Sequence, residues 1–439
     1  MKKRTILSVP LLLFACLALS AQIPQAKDSV RLSLEDMYAM LDEDNSSMIM
    51  LRYAEEAARE GETAARRSRL PDVSASASVS YIGDAFSTDR DFSNYTRLSS
   101  PHFGNSFALD ASLLVYGGGA IDASVDLAEL AVKAAEADTQ KARISLRFMV
   151  TGSVLDLYKL ANSERVYESN IALTESLIEE VKARADQGIV LRNDITRYEL
   201  RLEGLRLALT SIRNTQAILN YRLCNSLGLP EGSYIVTEPS FPADSEESLA
   251  ELQDLAYSNS PELRKADISA EMAGQQERLV RSDRLPKVAI VASESFNGPI
   301  TFELPPVDQN LNVWYVGLGI SYDLGSLWKG KRKVSEARKN AEAARQAVAV
   351  TEENLRNDVF EAYTDYLQSF VNLQTQRKSV QLAGENYATI NDRYMEGLAL
   401  ATEMTDAFNV KLDAELAEAD ALADIAYSYY KMHYIAGIL

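Results

Sequence analysis

Three carboxylates and one phenol are arranged around two glycines. Asp194 follows Gly188 by six residues and Glu403 follows Gly397 by six; Tyr394 lies three before Gly397. Asp406 comes three residues after Glu403, one helical turn on and on the same face. Acids gathered beside a turn attract cations. They are also what the positive end of a helix favours in its first turn. The pattern therefore reads either as a cation-attracting cluster or as solvated residues at a helix start. Ile189 and Leu398, next to the two glycines, are expected at the surface, as contacts for partner helices or as packing for the turns.

Nothing else in the chain has the makings of catalysis. The two histidines, His102 and His433, stand far from paired cysteines or clustered acids. No phosphate-binding glycine loop and no nucleophile motif occurs, so no enzyme, cofactor or metal site is expected. The two cysteines are Cys16 and Cys224, which build neither a zinc motif nor a disulfide framework. Cys224 falls on the seam side of a helix and reads as a buried thiol.

The turns must be held by very long helices. Between Gly119 and Gln187 there is no proline and only one glycine, Gly152. A helix of that length measures roughly 100 Å. The chain turns at Gly188 and returns from Leu191 to Leu227 with Ile195, Tyr198, Leu202, Leu205, Leu209, Ile212, Leu219 and Leu223 in steps of three and four, Gln216 taking the one vacant place. That is a heptad seam. A second hairpin spans about 331–436 with its tip at Gly397; its seam runs Leu355, Val359, Tyr363, Tyr366, Phe370, Leu373, Val380, Tyr387, Ile390, Tyr394. Such tyrosines at heptad spacing read as interhelix packing. Tyr427, Tyr429, Tyr430 and Tyr434 fit a core or an interfacial belt.

Before each hairpin comes a matching prelude. Ser33-Leu34-Glu35-Asp36 is a capped helix start, with a break expected near Asp44-Asn45-Ser46 and an end at Pro71. Strict alternation follows over about 72–81: Val73, Ala75, Ala77, Val79 and Tyr81 on one face, Asp72, Ser74, Ser76, Ser78 and Ser80 on the other. A polar loop is expected over 83–104, then a second strand over about 105–116. Segment 33–71 repeats without a gap as 248–286, nine of 39 positions being identical, and Pro261 falls opposite Ser46. Further strands are expected over about 287–296 and 312–324. The chain thus divides into a first repeat (22–230, hairpin about 119–228), a proline-bearing linker (231–247) and a second repeat (248–439).

Ten residues suffice for a tilted strand to cross a bilayer, though alternation alone fits a half-buried soluble hairpin as well. Four strands cannot enclose water, since even eight leave room only for side chains or one small ligand. Open edges in lipid leave backbone groups unpaired at several kcal/mol each. If these are membrane strands, several chains must close one barrel.

The chain has 439 residues, 46% apolar and 25% charged, with net charge −18. Residues 1–21 read as a removable signal peptide: Lys2, Lys3 and Arg4, an apolar run, then small residues ending at Ala21. Their removal takes the charge from −18 to −21. Reading Cys16 as a lipidation site is the alternative, opposed by Phe14 where a small residue is usual. A chain this acidic is not expected to bind nucleic acid.

The duplicated unit, the Leu-Pro steps into small-residue strands (Leu70-Pro71, Leu285-Pro286), the Tyr116-Gly117-Gly118 exit and the turns Arg184–Ile189 and Arg393–Leu398 together resemble the outer-membrane efflux (TolC-like) family over about 32–439. The resemblance implies a mainly α fold with a β-barrel contribution: a homotrimer with a twelve-strand barrel in outer-membrane lipid and an α-helical tunnel in the periplasm. It implies docking to a periplasmic adaptor and, through it, to an inner-membrane transporter, as the exit duct of tripartite efflux or type I secretion. Tyr394, Glu403 and Asp406 match the family's constriction, with Asp194 beside them; Gly188, Ile189, Gly397 and Leu398 match adaptor contacts. Two departures stand out: Leu324-Gly325-Ser326 replaces the aromatic-glycine exit, and Ala399 stands where the family often has a gating arginine. The competing reading is a periplasmic coiled-coil scaffold or adaptor without a pore, its strand pairs soluble hairpins, which would stay soluble where a duct needs detergent.

Overall fold

The computed structural model describes residues 28–230, 232–236, 247–303 and 306–439; the expected signal peptide and Cys16 lie outside them. In chain order the elements are β1 (Asp28–Arg31), α1 (Leu34–Asp44), α2 (Ser46–Arg67), β2 (Asp72–Tyr81), β3 (Ala85–Ser87), β4 (Thr96–Leu98), β5 (Phe103–Tyr116), α3 (Ala120–Asp186) and α4 (Arg192–Ser226). Then come β6 (Ser233–Val236), α5 (Leu249–Asn259), α6 (Pro261–Ser282), β7 (Lys287–Gly298), β8 (Leu311–Ser321), α7 (Ser326–Met395) and α8 (Ala401–Ile435).

The expected helix breaks are present in both preludes. Ser33 and Ser248 cap α1 and α5, and the Asp36 and Glu251 carboxylates accept back from the Ser33 and Ser248 amides. Asn45 then caps α2 by accepting from the Ser47 amide, and Ser260 caps α6 with Pro261 in the first turn. Each pair of short helices is therefore two capped segments, able to bend where one helix could not.

The long helices form a single layer. On one side α3 packs against α2 and α4, placed in succession along it; on the other it meets α6 and α8, which also pack on α7. The layer thus ends in α2 and α4 at one edge and in α7 at the other. The seam residues Tyr198, Leu202, Leu205, Leu209, Leu223, Leu355, Val359, Tyr366, Leu373 and Tyr394 are buried. Gln216 is buried too, and its side-chain amide donates to Glu164 at 3.0 Å. Exposed ion pairs line α2 against α3: Arg59–Glu136, Arg66–Glu129 and Arg69–Asp122.

β2, β5, β7 and β8 form one antiparallel sheet in that order, so β2 and β8 are its two open edges. At the foot of the sheet the chain must turn sharply. Gly118 has φ +65°, and a Cβ there would stand 2.9 Å from the Leu285 Cβ and 3.0 Å from the Ser282 carbonyl. Only glycine fits.

Four expectations need correction. The 83–104 segment is not plain loop, because β3 and β4 pair there as a short hairpin. The 231–247 segment opens with β6, which pairs in parallel with β1; buried Asn220 holds it by donating to the Ser233 carbonyl and accepting from the Ile235 amide, beside the buried Cys224 thiol. β8 stops at Ser321 rather than near 324, since the Asp323 carboxylate takes the Gly325 amide and turns the chain. Finally, α7 starts at Ser326 and runs straight through Gly330. That glycine is not a breaker: its missing Cβ makes room for the Arg284 side chain, whose Cγ would lie 2.9 Å away.

The helical tips and the strand face as the candidate functional site

Both tips are built by the same backbone device. Gly188 and Gly397 adopt φ +77° and +76°, the left-handed region open to glycine. The Gly188 and Ile189 amides then donate to the Ala185 and Arg184 carbonyls; Gly397 and Leu398 do the same to Tyr394 and Arg393. This is the paired closure that ends a helix in a left-handed residue. Beyond each turn, apolar side chains stand in solvent: Ile189 and Leu191 at one tip, Leu398 and Leu400 at the other, Leu398 being 65% exposed. Leu191 and Leu400 escaped the sequence reading, although each sits at the start of its returning helix.

Below the turns the two hairpins share one core, formed by Leu177, Ile178, Val181, Tyr198, Leu202, Tyr394, Ala401 and Met404. Tyr394 packs edge to face on Tyr198 with ring centroids 6.2 Å apart. Both hydroxyls are buried, and burial pushes both phenols' pKa up. The nearby Asp194 carboxylate adds to that push on both rings. Tyr394, Tyr198 and Asp194 are therefore brought together, inside the hairpin pair.

Glu403 and Asp406 are placed differently. Both are exposed on the first turns of α8. Glu403 accepts from the Leu400 amide at 2.7 Å, satisfying one of the free donors at the helix start. It therefore has a capping role whatever else it does.

Two arginines join the hairpins, and the sequence reading named neither as a site residue. Arg184 of the first donates to the Met395 carbonyl of the second. Arg201 stacks on the Phe408 ring, 4.0 Å from its centroid, and donates to the Asn409 side chain; burial lowers its pKa. Ala399 cannot supply a guanidinium at the second tip, and Arg184 reaches the neighbouring carbonyl from the other side.

At the far end the strand register sorts side chains by face. One face carries the rows Val73–Ala111–Ala292–Val316 and Ala75–Leu109–Glu294–Trp314, with Leu318 and Ile320 beyond; the other carries Ser74–Asp110–Ser293–Tyr315 and Ser78–Ser106–Asn297. On the polar face Ser293 donates to Asp110 and Ser106 to Asn297. The apolar face is bare: Trp314 is 72% and Ile320 70% exposed. Glu294 interrupts it, with the Asn312 amide donating to its carboxylate at 3.3 Å. Among the described residues no helix is long and apolar enough to cross a membrane, and no group of three His, Cys, Asp or Glu gathers as a metal site.

No curated relative matches the sequence. Among solved structures, the chain is similar to the outer-membrane channel OprN (18% identity, TM-score 0.76, covering 92% of this chain and 89% of that one). It is similar to the outer membrane protein VceC of Vibrio cholerae (16%, 0.75, 92% and 96%). It also matches the open state of the MtrE outer membrane channel of Neisseria gonorrhoeae (17%, 0.69, 92% and 88%). These likenesses establish the fold: a mainly helical chain with long hairpins and a small sheet. The outer membrane efflux protein family model matches residues 37–229 and 252–434, nearly all of both repeats, and the chain belongs to that family of channels.

Proposed function

We propose that three copies of this chain form the exit duct of a tripartite efflux or type I secretion system, conducting substrates passively across the outer membrane. The observation that carries this reading is the four-strand sheet, bare and apolar on one face, polar on the other, and open at both edges. β8 and β2 run in opposite directions, so β8 of one copy can pair with β2 of the next in the alternation the sheet already has. Two copies would give eight strands and a filled interior; three give twelve and a lumen. A water-soluble scaffold would leave the apolar face uncovered.

The helical layer supports closure by the same copies. Its α4 edge exposes Leu200, Leu207, Ile218 and Tyr221, and its α7 edge exposes Phe360, Leu367, Val371 and Leu382. At about 1.5 Å per residue, Leu200 and Leu382 both lie roughly 20 Å from their tips, and Ile218 and Leu367 both about 45 Å. Two apolar stripes of equal height on opposite edges fit one another around a ring. Disulfide trapping of an Ile218→Cys/Leu367→Cys variant should give covalent dimers and trimers and nothing larger. Intramolecular products only, or a ladder beyond three, contradicts the closure.

In that ring Asp406, Glu403 and Asp194 repeat around the narrow end, where gathered like charges favour cations. Tyr394 acts from behind, fixing the hairpin pair. Ile189 and Leu398, with Gly188 and Gly397 allowing close approach, present the apolar contacts for a periplasmic adaptor that leads to the inner-membrane transporter. A Glu403→Gln/Asp406→Asn channel should lose block by divalent cations; unchanged block removes these acids from the aperture.

A further inference from the structure

At the foot of β7 and β8, the end of α6 and the start of α7 enclose a cleft of about 610 Å³. Its charged lining is Arg284, Lys287, Lys329 and Lys333 against Asp283 and Asp323. Asp283 is paired with Lys287 at 3.8 Å, and Asp323 is used in the turn to Gly325. Among the described residues, Arg284, Lys329 and Lys333 have no ion-pair partner. Two polar atoms are buried here without any hydrogen bond: the Arg284 Nε and the Ser326 Oγ, the latter on a residue only 6% exposed. Ser326 opens a 70-residue helix that has no side-chain cap. An orphaned hydroxyl, a guanidinium and two ammonium groups therefore converge in a chain whose net charge is −18. Buried polar atoms left unpaired cost free energy, and an oxyanion is the group that pairs them together.

The first repeat marks this cleft as different. There Arg69 lies two residues past its helix as Arg284 does, and it is answered by Asp122, five residues after Gly117. Five residues after Gly325 stands Gly330, under the Arg284 side chain. The neutralising acid is missing, and lysines take up the surrounding turns.

We infer that this cleft is a binding site for the phosphate of an anionic phospholipid in the periplasm-facing leaflet of the outer membrane. Leu324, Leu327 and Trp328 are exposed beside it, Trp328 by 67%, and the apolar strand face ends directly above. An aromatic and basic residues at the foot of an apolar band are the usual furnishing of a lipid headgroup region. A free phosphate ion offers the same oxygens but gives those apolar side chains nothing to cover.

The inference rests on the membrane placement proposed above. The test uses the full chain in nanodiscs of phosphatidylethanolamine doped with spin-labelled phosphatidylglycerol or spin-labelled phosphatidylethanolamine. The wild type should immobilise the phosphatidylglycerol label preferentially. Lys329→Glu/Lys333→Glu should cut that preference by about tenfold or more. Gly330→Asp, whose Cβ shifts the Arg284 side chain and whose carboxylate answers it as Asp122 answers Arg69, should weaken it too. Millimolar inorganic phosphate should not displace the label. Equal preference in all three proteins overturns the site, and displacement by inorganic phosphate overturns its assignment to lipid. A neighbouring copy's carboxylate cross-linking to Lys329 also overturns it. Failure of the protein to enter discs at all overturns the membrane placement as well, so the two readings fail distinguishably.

Discussion

The two halves of the chain share a backbone plan but differ in charge at both ends. At the strand–helix junction, α3 opens with Asp122, Asp126 and Glu129, whereas α7 opens with Lys329, Lys331, Arg332 and Lys333. At the tips the first half supplies Arg184 and Arg201, and the second supplies the acceptors and the exposed acids Glu403 and Asp406. Duplication preserved what the backbone needs: capped breaks, Leu-Pro steps and left-handed glycines. Side-chain charge was free to diverge. As a result the halves complement each other at the tip, and at the junction only one of them is neutralised.

The largest expected effect tests whether the junctions differ in backbone as well as charge. Gly118 has a positive φ and no room for a Cβ, while Gly325 has φ −62° and only the Asp323 carboxylate nearby. Gly118→Ala should destabilise by about 2 kcal/mol or more, against less than about 1 kcal/mol for Gly325→Ala, read from thermal melting of the assembly. Equal losses would mean that the two junctions are mechanically alike.

Next comes the tip. Arg184→Ala removes the first half's bond to the Met395 carbonyl, and it should cost about 1–3 kcal/mol and raise the open probability of the channel. An unchanged melting temperature and open probability would show that this bond does not hold the hairpins together.

A smaller effect lies where the halves meet along their length. Burial raises the pKa of Asp156 on α3 and of Asp420 on α8; Lys159 pulls both back and Asp424 pushes both up. A carboxyl whose folded pKa lies above its unfolded one stabilises the fold at pH below the unfolded value. That contribution is lost as pH rises through the folded value. The assembly should therefore melt higher as pH falls from neutral towards the raised pKa, and Asp420→Asn should flatten this slope. A slope unchanged in the variant would assign the dependence to other groups.

The smallest effect belongs to the first junction's ion pairs. Arg69 and Asp122 are both more than half exposed, so Asp122→Asn should cost less than about 1 kcal/mol and matter less at high salt. A large loss would show that the ladder, and not the glycine, secures that junction.

Much of this was legible in the sequence, and the physical reason is periodicity. The seams, the strand faces and the glycine turns each repeat a spacing that only one local structure satisfies. Ser46 and Pro261 marked the same helix break because proline is at home in the first turn of a helix. Less legible were contacts to backbone atoms. Arg184 binds a carbonyl, so no partner residue type announces it, and Glu403 serves an amide in its own turn. Gly330 gives no sign in the sequence that it lies within a helix, because its purpose, room for Arg284, depends on a residue just past the end of α6. β1 and β6 are too short to show alternation.

The account depends most on the sheet being one part of a shared barrel. Single-channel recording of the purified full-length protein in a planar bilayer tests that directly. The account predicts stable unitary conductance carried by a detergent-requiring particle of three chains. A monomer that stays soluble without detergent and passes no current would contradict it.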